Sequence, residues 1–98
     1  MKKNNNIVEL KKVRKNIDEI DSKIIKLISD RFKEIHKVTK LKDNHDQIID
    51  HERITHILKS VQAKAKKNKI DYEVVTRIWQ IFIHEAIKLE YSKIKKTK

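Results

Sequence analysis

The sequence predicts an all-α protein of three helices with a long first helix, and three observations predict it. There is no glycine and no proline among the 98 residues, so the usual punctuation of tight turns and sheets is missing and the segments run long. Apolar residues recur at alternating three- and four-residue steps, the mark of one stripe along a helix. Two short polar breaks interrupt that pattern, which divides the chain into three. The length suits a single domain near the lower limit for a useful core without disulfide, metal or partner.

The first helix is read from Leu10, Val13, Ile17, Ile20, Ile24, Leu27, Ile28, Ile35, Val38 and Leu41, and it continues to about Lys42. At ~1.5 Å per residue it is ~50 Å long, against a radius of gyration of ~13 Å for a compact domain of this size. Much of its stripe must be covered by something else, and a second copy of the chain is the simplest cover. Asp43 to Gln47 is the first polar break. Asp50 then caps a second helix with Ile54, Ile57, Leu58, Val61 and Ala65 on one face. Asn68 and Lys69 form a weaker break, and Asp71 caps the third helix. Its apolar face is Val75, Ile78, Trp79, Phe82, Ile83, Ala86, Ile87 and Leu89. The expected core covers about 7–92 of one domain over 1–98, with a lysine-rich tail at 93–98 that frays.

Composition narrows the function classes. Cysteine is absent, so disulfides and thiolate metal sites are excluded. His45, His51, His56 and His84 lack metal-ligand spacing, no glycine-rich phosphate loop exists, and neither metal nor cofactor is expected. The N-terminus has a charged head with no apolar run behind it, and no segment approaches membrane-spanning length. The expectation is a cytoplasmic protein with no membrane partner. The formal net charge of +11 is compatible with nucleic acid, an anionic surface or plain solubility. Of the 25 basic residues only Arg14, Arg31, Arg53 and Arg77 are arginine. In a chain that writes surface charge as lysine, each arginine needs its own reason.

Charged residues interrupt the apolar stripes at regular places. Counting by sevens from Leu10 gives Ile17, Ile24, Arg31 and Val38, which puts Arg31 where an aliphatic residue is called for. Counting by sevens around Ile28 gives Arg14, Asp21, Ile35 and Lys42. On the third helix Glu90 follows Ile83 by seven and Ala86 by four. Buried unpaired charges are costly, so these groups neutralise one another, snorkel to water or surround a charged ligand. One alternative is an interhelical salt bridge, with Asp21 or Glu90 pairing with Arg14 or Arg31 to hold register. The other is an anion pocket, favoured by the excess of cations and by the planar fork with which arginine grips a carboxylate.

The ordered set Val13-Arg14-x-x-Ile17-Asp18-x-Ile20-Asp21, Leu27-x-x-x-Arg31, Lys42, Ile49-Asp50-x-x-Arg53 and Ile83-x-x-x-Ile87-x-x-Glu90 resembles the all-helical, AroQ-type chorismate mutases and their relatives, the isochorismate-pyruvate lyases. The resemblance covers about Leu10 to Tyr91. It implies an intertwined homodimer with shared active sites and a small dicarboxylate substrate, chorismate or isochorismate. Arg14, arriving from the other subunit, would hold the side-chain carboxylate, and Arg31 the ring carboxylate. Lys42 would contact a carboxylate and donate to the ether oxygen, with Glu90 as a second donor. Asp50 would meet the ring hydroxyl and Arg53 would support the anion site. A Claisen rearrangement of chorismate to prephenate needs no nucleophile, only a folded substrate conformer and fixed donors at an oxygen that gains negative charge.

Three positions depart from the usual mutase pattern. Ile54 stands where a glutamate commonly helps bind the hydroxyl, and Ala86 where a serine is common. The stretch from Lys42 to Arg53 is one residue shorter than in most mutases, as in the lyases, whereas Asp50 favours a mutase. The alternative within the family is therefore a lyase forming salicylate and pyruvate. A basic helical dimer that binds nucleic acid is the rival from another class, but it leaves inward-facing Arg31 and Glu90 without a purpose. Removing Arg31 or Lys42 is expected to lower stability little or even raise it, by relieving repulsion among cations. If Glu90 is not a donor, it becomes a salt-bridge partner of Arg31 or Lys42.

Overall fold

A computed structural model of the chain describes residues 2–94, with side chains from residue 5 onward. Three helices follow one another, α1 (Lys2–Leu41), α2 (His51–Lys67) and α3 (Tyr72–Lys93), with a short 3₁₀ turn at His45–Gln47 between the first two. No strand occurs among the described residues. α1 begins eight residues before the first stripe position, Leu10; Asn4 to Asn6 are indifferent helix formers, and nothing in them stops a helix. α3 continues through Ser92 and Lys93, where fraying was expected; residues 95–98 of the lysine-rich tail lie outside the described residues.

The chain divides into two compact units, Met1–Glu34 and Ile35–Lys98, and α1 runs across the division. In the first unit none of the described residues is buried. Leu10, Val13, Ile17, Ile20, Ile24 and Leu27 are 46–65 % exposed, so the stripe that makes this segment amphipathic is uncovered in a single chain. Completing the burial of six such side chains is worth on the order of 5–10 kcal/mol. Arg14 and Asp21, which share a seven-residue register with Ile28, are exposed as well. Arg31 is half-buried. Beside it, an ammonium-to-carboxylate hydrogen bond of 2.8 Å from Lys26 holds the Asp30 carboxyl below its usual value, an exposed pair of small energetic weight.

The second unit contains the core. Its centre is Val61 and Ala65 of α2 against Val75 of α3, with Trp79 packed on them and Phe82 meeting the Trp79 ring edge-on at 5.3 Å. Gln62 crosses between the helices to donate to the Thr76 hydroxyl at 2.9 Å. Asp50 caps α2 and Asp71 caps α3, as their positions before the apolar runs predict. Asn68 and Lys69 close α2 with a Schellman arrangement, in which Ile70 N–H reaches Ala65 O at 2.8 Å and Lys69 N–H reaches Lys66 O at 3.2 Å. That turn needs a left-handed residue, and in a chain without glycine Lys69 takes it at φ 58°.

Candidate active site

The end of α1 sets the site. Lys42 N–H makes the last helical bond, to Val38 O at 3.2 Å, and the polar run Asp43 to Gln47 then reverses the chain. Asn44 accepts from Asp46 N–H through its side chain, while the Gln47 amide oxygen turns back to accept from the N–H groups of Asp43 and Asn44. This is a capping box, and it makes a compact turn from residues that looked like a plain break. The chain then drops Ile48 into the interior, where it is 3 % exposed.

Two groups seize the Lys42 ammonium. Ile48 O accepts from Nζ at 3.2 Å, and Glu90 Oε1 lies 2.7 Å from Nζ. Glu90 projects from α3 one turn beyond buried Ala86 and is itself 5 % exposed. Its Oε1 is enclosed and takes a close charge contact from Lys42 without the angles of a good hydrogen bond. The short ion pair with Lys42 is what compensates this enclosed carboxylate oxygen.

Lys42 and Asp50 line one shallow, open depression of about 490 Å³, together with Asp46, Gln47, Ile49, His51 and Glu52. Asp50 is exposed and uses Oδ1 to accept from Arg53 N–H at 2.9 Å. The second unit thus brings together three of the residues expected at a site, Lys42, Asp50 and Glu90. Arg53 follows on the first turn of α2 with its side chain exposed, and Ile54 is half-buried. Ala86 is 6 % exposed, so a serine there would need an internal partner for its hydroxyl; the methyl simply packs. Arg14 and Arg31 belong to the first unit. No group of metal-ligating side chains forms among the described residues.

Two participants escaped the sequence reading. His45 Nε2 lies 2.9 Å from Ile94 O, and its ring meets Tyr91 edge-on at 4.8 Å. Ile94 is buried, although it sits in what reads as a lysine-rich tail. The available signal was its register, seven residues after Ile87 and four after Glu90.

The geometry also corrects the expected effect of removing Lys42. Its ammonium is the counterion of a buried carboxylate, so its loss does not relieve repulsion. Lys42→Met is expected to destabilise the protein by about 1–3 kcal/mol at neutral pH, the scale for a buried charged group left unsatisfied. Adding Glu90→Leu should recover most of that loss. Denaturant unfolding of the two single variants and the double variant, at one protein concentration, measures the coupling; strictly additive losses would mean that the pair shares no energy.

Comparison with known proteins places the chain. The family model for chorismate mutase type II matches residues 13–91. The chain is 34 % identical over 88 residues to the chorismate mutase of Methanocaldococcus jannaschii, covering 87 % of this chain and 89 % of that protein. It is 31 % identical over 84 residues to the bifunctional chorismate mutase/prephenate dehydratase of Buchnera aphidicola subsp. Acyrthosiphon pisum, covering 85 % of this chain but 22 % of that longer protein. No solved structure matches. The match runs from Val13, one residue before Arg14, to Tyr91, one residue after Glu90, and so takes in every residue marked above as a candidate for the site: the chain belongs to the chorismate mutase type II family.

Proposed function

We propose that the protein catalyses the rearrangement of chorismate to prephenate, as a cytoplasmic homodimer with shared sites, without cofactor and without a nucleic-acid partner. The observation that carries this reading is the Lys42–Glu90 pair beside a depression that Asp50 also lines, in a chain of this family. The family match spans both compact units, which supports reading 1–98 as one domain. No described helix is long and apolar enough to cross a membrane.

The reaction breaks the ether carbon–oxygen bond while a carbon–carbon bond forms within the same molecule. Negative charge grows on the ether oxygen, and no group of the protein is consumed. Arg14 of a neighbouring subunit and Arg31 are assigned to the two carboxylates, with Arg53 in support, because paired cationic clamps select the folded conformer. An ammonium has three donors. Ile48 O and Glu90 draw Lys42 Nζ inward, and a further N–H of the ammonium is assigned to the substrate, where a fixed positive charge lowers the barrier without reorganising. The helix cap uses one oxygen of Asp50, and the other is assigned to the ring hydroxyl. Glu90 is assigned as the second donor to the ether oxygen.

Product analysis tests the reading directly. Purified protein should convert chorismate to prephenate faster than it acts on isochorismate. Arg31→Ala and Lys42→Ala should each cost at least about a hundredfold in kcat/KM, the scale for losing a preorganised donor. Ile54 and the short stretch before Arg53 favour the lyase alternative, and salicylate and pyruvate from isochorismate at higher efficiency would establish it instead.

Shared sites predict complementation. Arg14→Ala and Lys42→Ala are each inactive, but a mixed dimer has one site with both lesions and one with neither. After unfolding and refolding a one-to-one mixture, about a quarter of the natural activity should return, since half of randomly formed dimers are mixed. No recovery would place Arg14 in its own chain's site or leave the protein a monomer.

Glu90 supplies a further test. Glutamine at this position keeps a donor and alanine has none, so Glu90→Gln should retain most of kcat and Glu90→Ala should lose at least about a hundredfold. Equal losses in the two variants would leave Glu90 as the counterion of Lys42 and nothing more.

A further inference from the structure

Both members of the Lys42–Glu90 pair are set by one short loop. Ile48, immediately after the 3₁₀ turn, offers its carbonyl to Lys42 Nζ. His45, the first residue of that turn, reaches 49 residues along the chain to Ile94 O at 2.9 Å. Ile94 in turn donates its N–H to Glu90 O at 2.9 Å and buries its side chain, while Tyr91 closes on the His45 ring. The last turn of α3, which carries Glu90, is therefore clasped by the loop that holds the ammonium.

We propose that His45 is a positioning residue for the reaction: by donating from Nε2 to Ile94 O it sets where the Glu90 carboxyl stands relative to Lys42. This rests on the reading of Lys42 and Glu90 as the donors to the ether oxygen. A carbonyl only accepts, so Nε2 carries the hydrogen. The turn that presents His45 is braced by Asn44 and Gln47, which gives the hydrogen bond a fixed origin. Without that bond the C-terminal turn of α3, whose final carbonyls lack helical partners, is free to unwind toward Glu90.

The test separates the donor from the ring. His45→Phe keeps an aromatic edge for Tyr91 and removes the donor; His45→Gln removes the ring and restores an amide donor at similar reach. His45→Phe is expected to lower kcat for chorismate by about two- to tenfold, the kinetic equivalent of one neutral hydrogen bond, with KM changed less than about twofold. His45→Gln should recover most of kcat. Amide exchange at Ile94, which needs no substrate, should accelerate several-fold in His45→Phe and return toward the natural rate in His45→Gln. Unchanged exchange and unchanged kcat in His45→Phe, or a Gln variant as impaired as Phe in both, would overturn the proposal. If the natural protein does not act on chorismate, the functional reading fails, and the exchange rates alone then decide whether His45 holds this turn.

Discussion

A carboxylate that is only one-twentieth exposed must be protonated or have a cation against it, and that requirement on Glu90 organises the second unit. The cation is Lys42, and it cannot be delivered by helix geometry alone, because α1 has ended one residue earlier. The loop delivers it: a capping box tightens the reversal, Ile48 anchors the interior, and its carbonyl holds the ammonium. Glu90 arrives from the far end of α3, whose position depends on the apolar contact of Val61 and Ala65 with Val75. The hydrophobic core and the polar site are thus serially dependent, since displacement of the helix pair separates the two charges.

The first unit makes a different physical demand. Six of its large aliphatic residues, Leu10, Val13, Ile17, Ile20, Ile24 and Leu27, follow the three- and four-residue steps of one helix stripe and remain about half exposed, which is more apolar surface than a small chain leaves uncovered without a reason. Arg14 and Arg31 interrupt the same segment. The many lysines elsewhere keep such a chain soluble.

The chemistry needs few parts. A unimolecular rearrangement takes its acceleration from holding the reactant folded and from donors whose orientation is settled in advance. Lys42 is oriented by two fixed contacts, and Glu90 is enclosed against it. Both are preorganised before substrate arrives. The departures from the usual family pattern fall at the edge of this arrangement. Ala86 packs where a hydroxyl would lie beneath Glu90, and Ile54 is half-buried behind the Asp50 cap.

Much of the fold was legible in the residues themselves. The three- and four-residue steps of aliphatic side chains, the absence of glycine and proline, and Asp50 and Asp71 before their apolar runs dictate three helices, the second and third capped, because they act through local backbone geometry. The misplaced charges Arg31, Lys42 and Glu90 were legible too, since each breaks a period that its own helix defines. The start of α1 at Lys2 was not, because Asn4 to Asn6 neither favour nor forbid a helix. Which cation neutralises Glu90 was also undecided, since Arg14, Arg31 and Lys42 all share suitable registers. Tertiary structure chose Lys42 and enlisted His45 and Ile94, residues that read as a polar break and a frayed tail. Periodicity reports which face of its own helix a residue occupies; the partner across 48 residues, from Lys42 to Glu90, is decided by how a loop turns and how deeply two helices pack, and neither is encoded in any one segment.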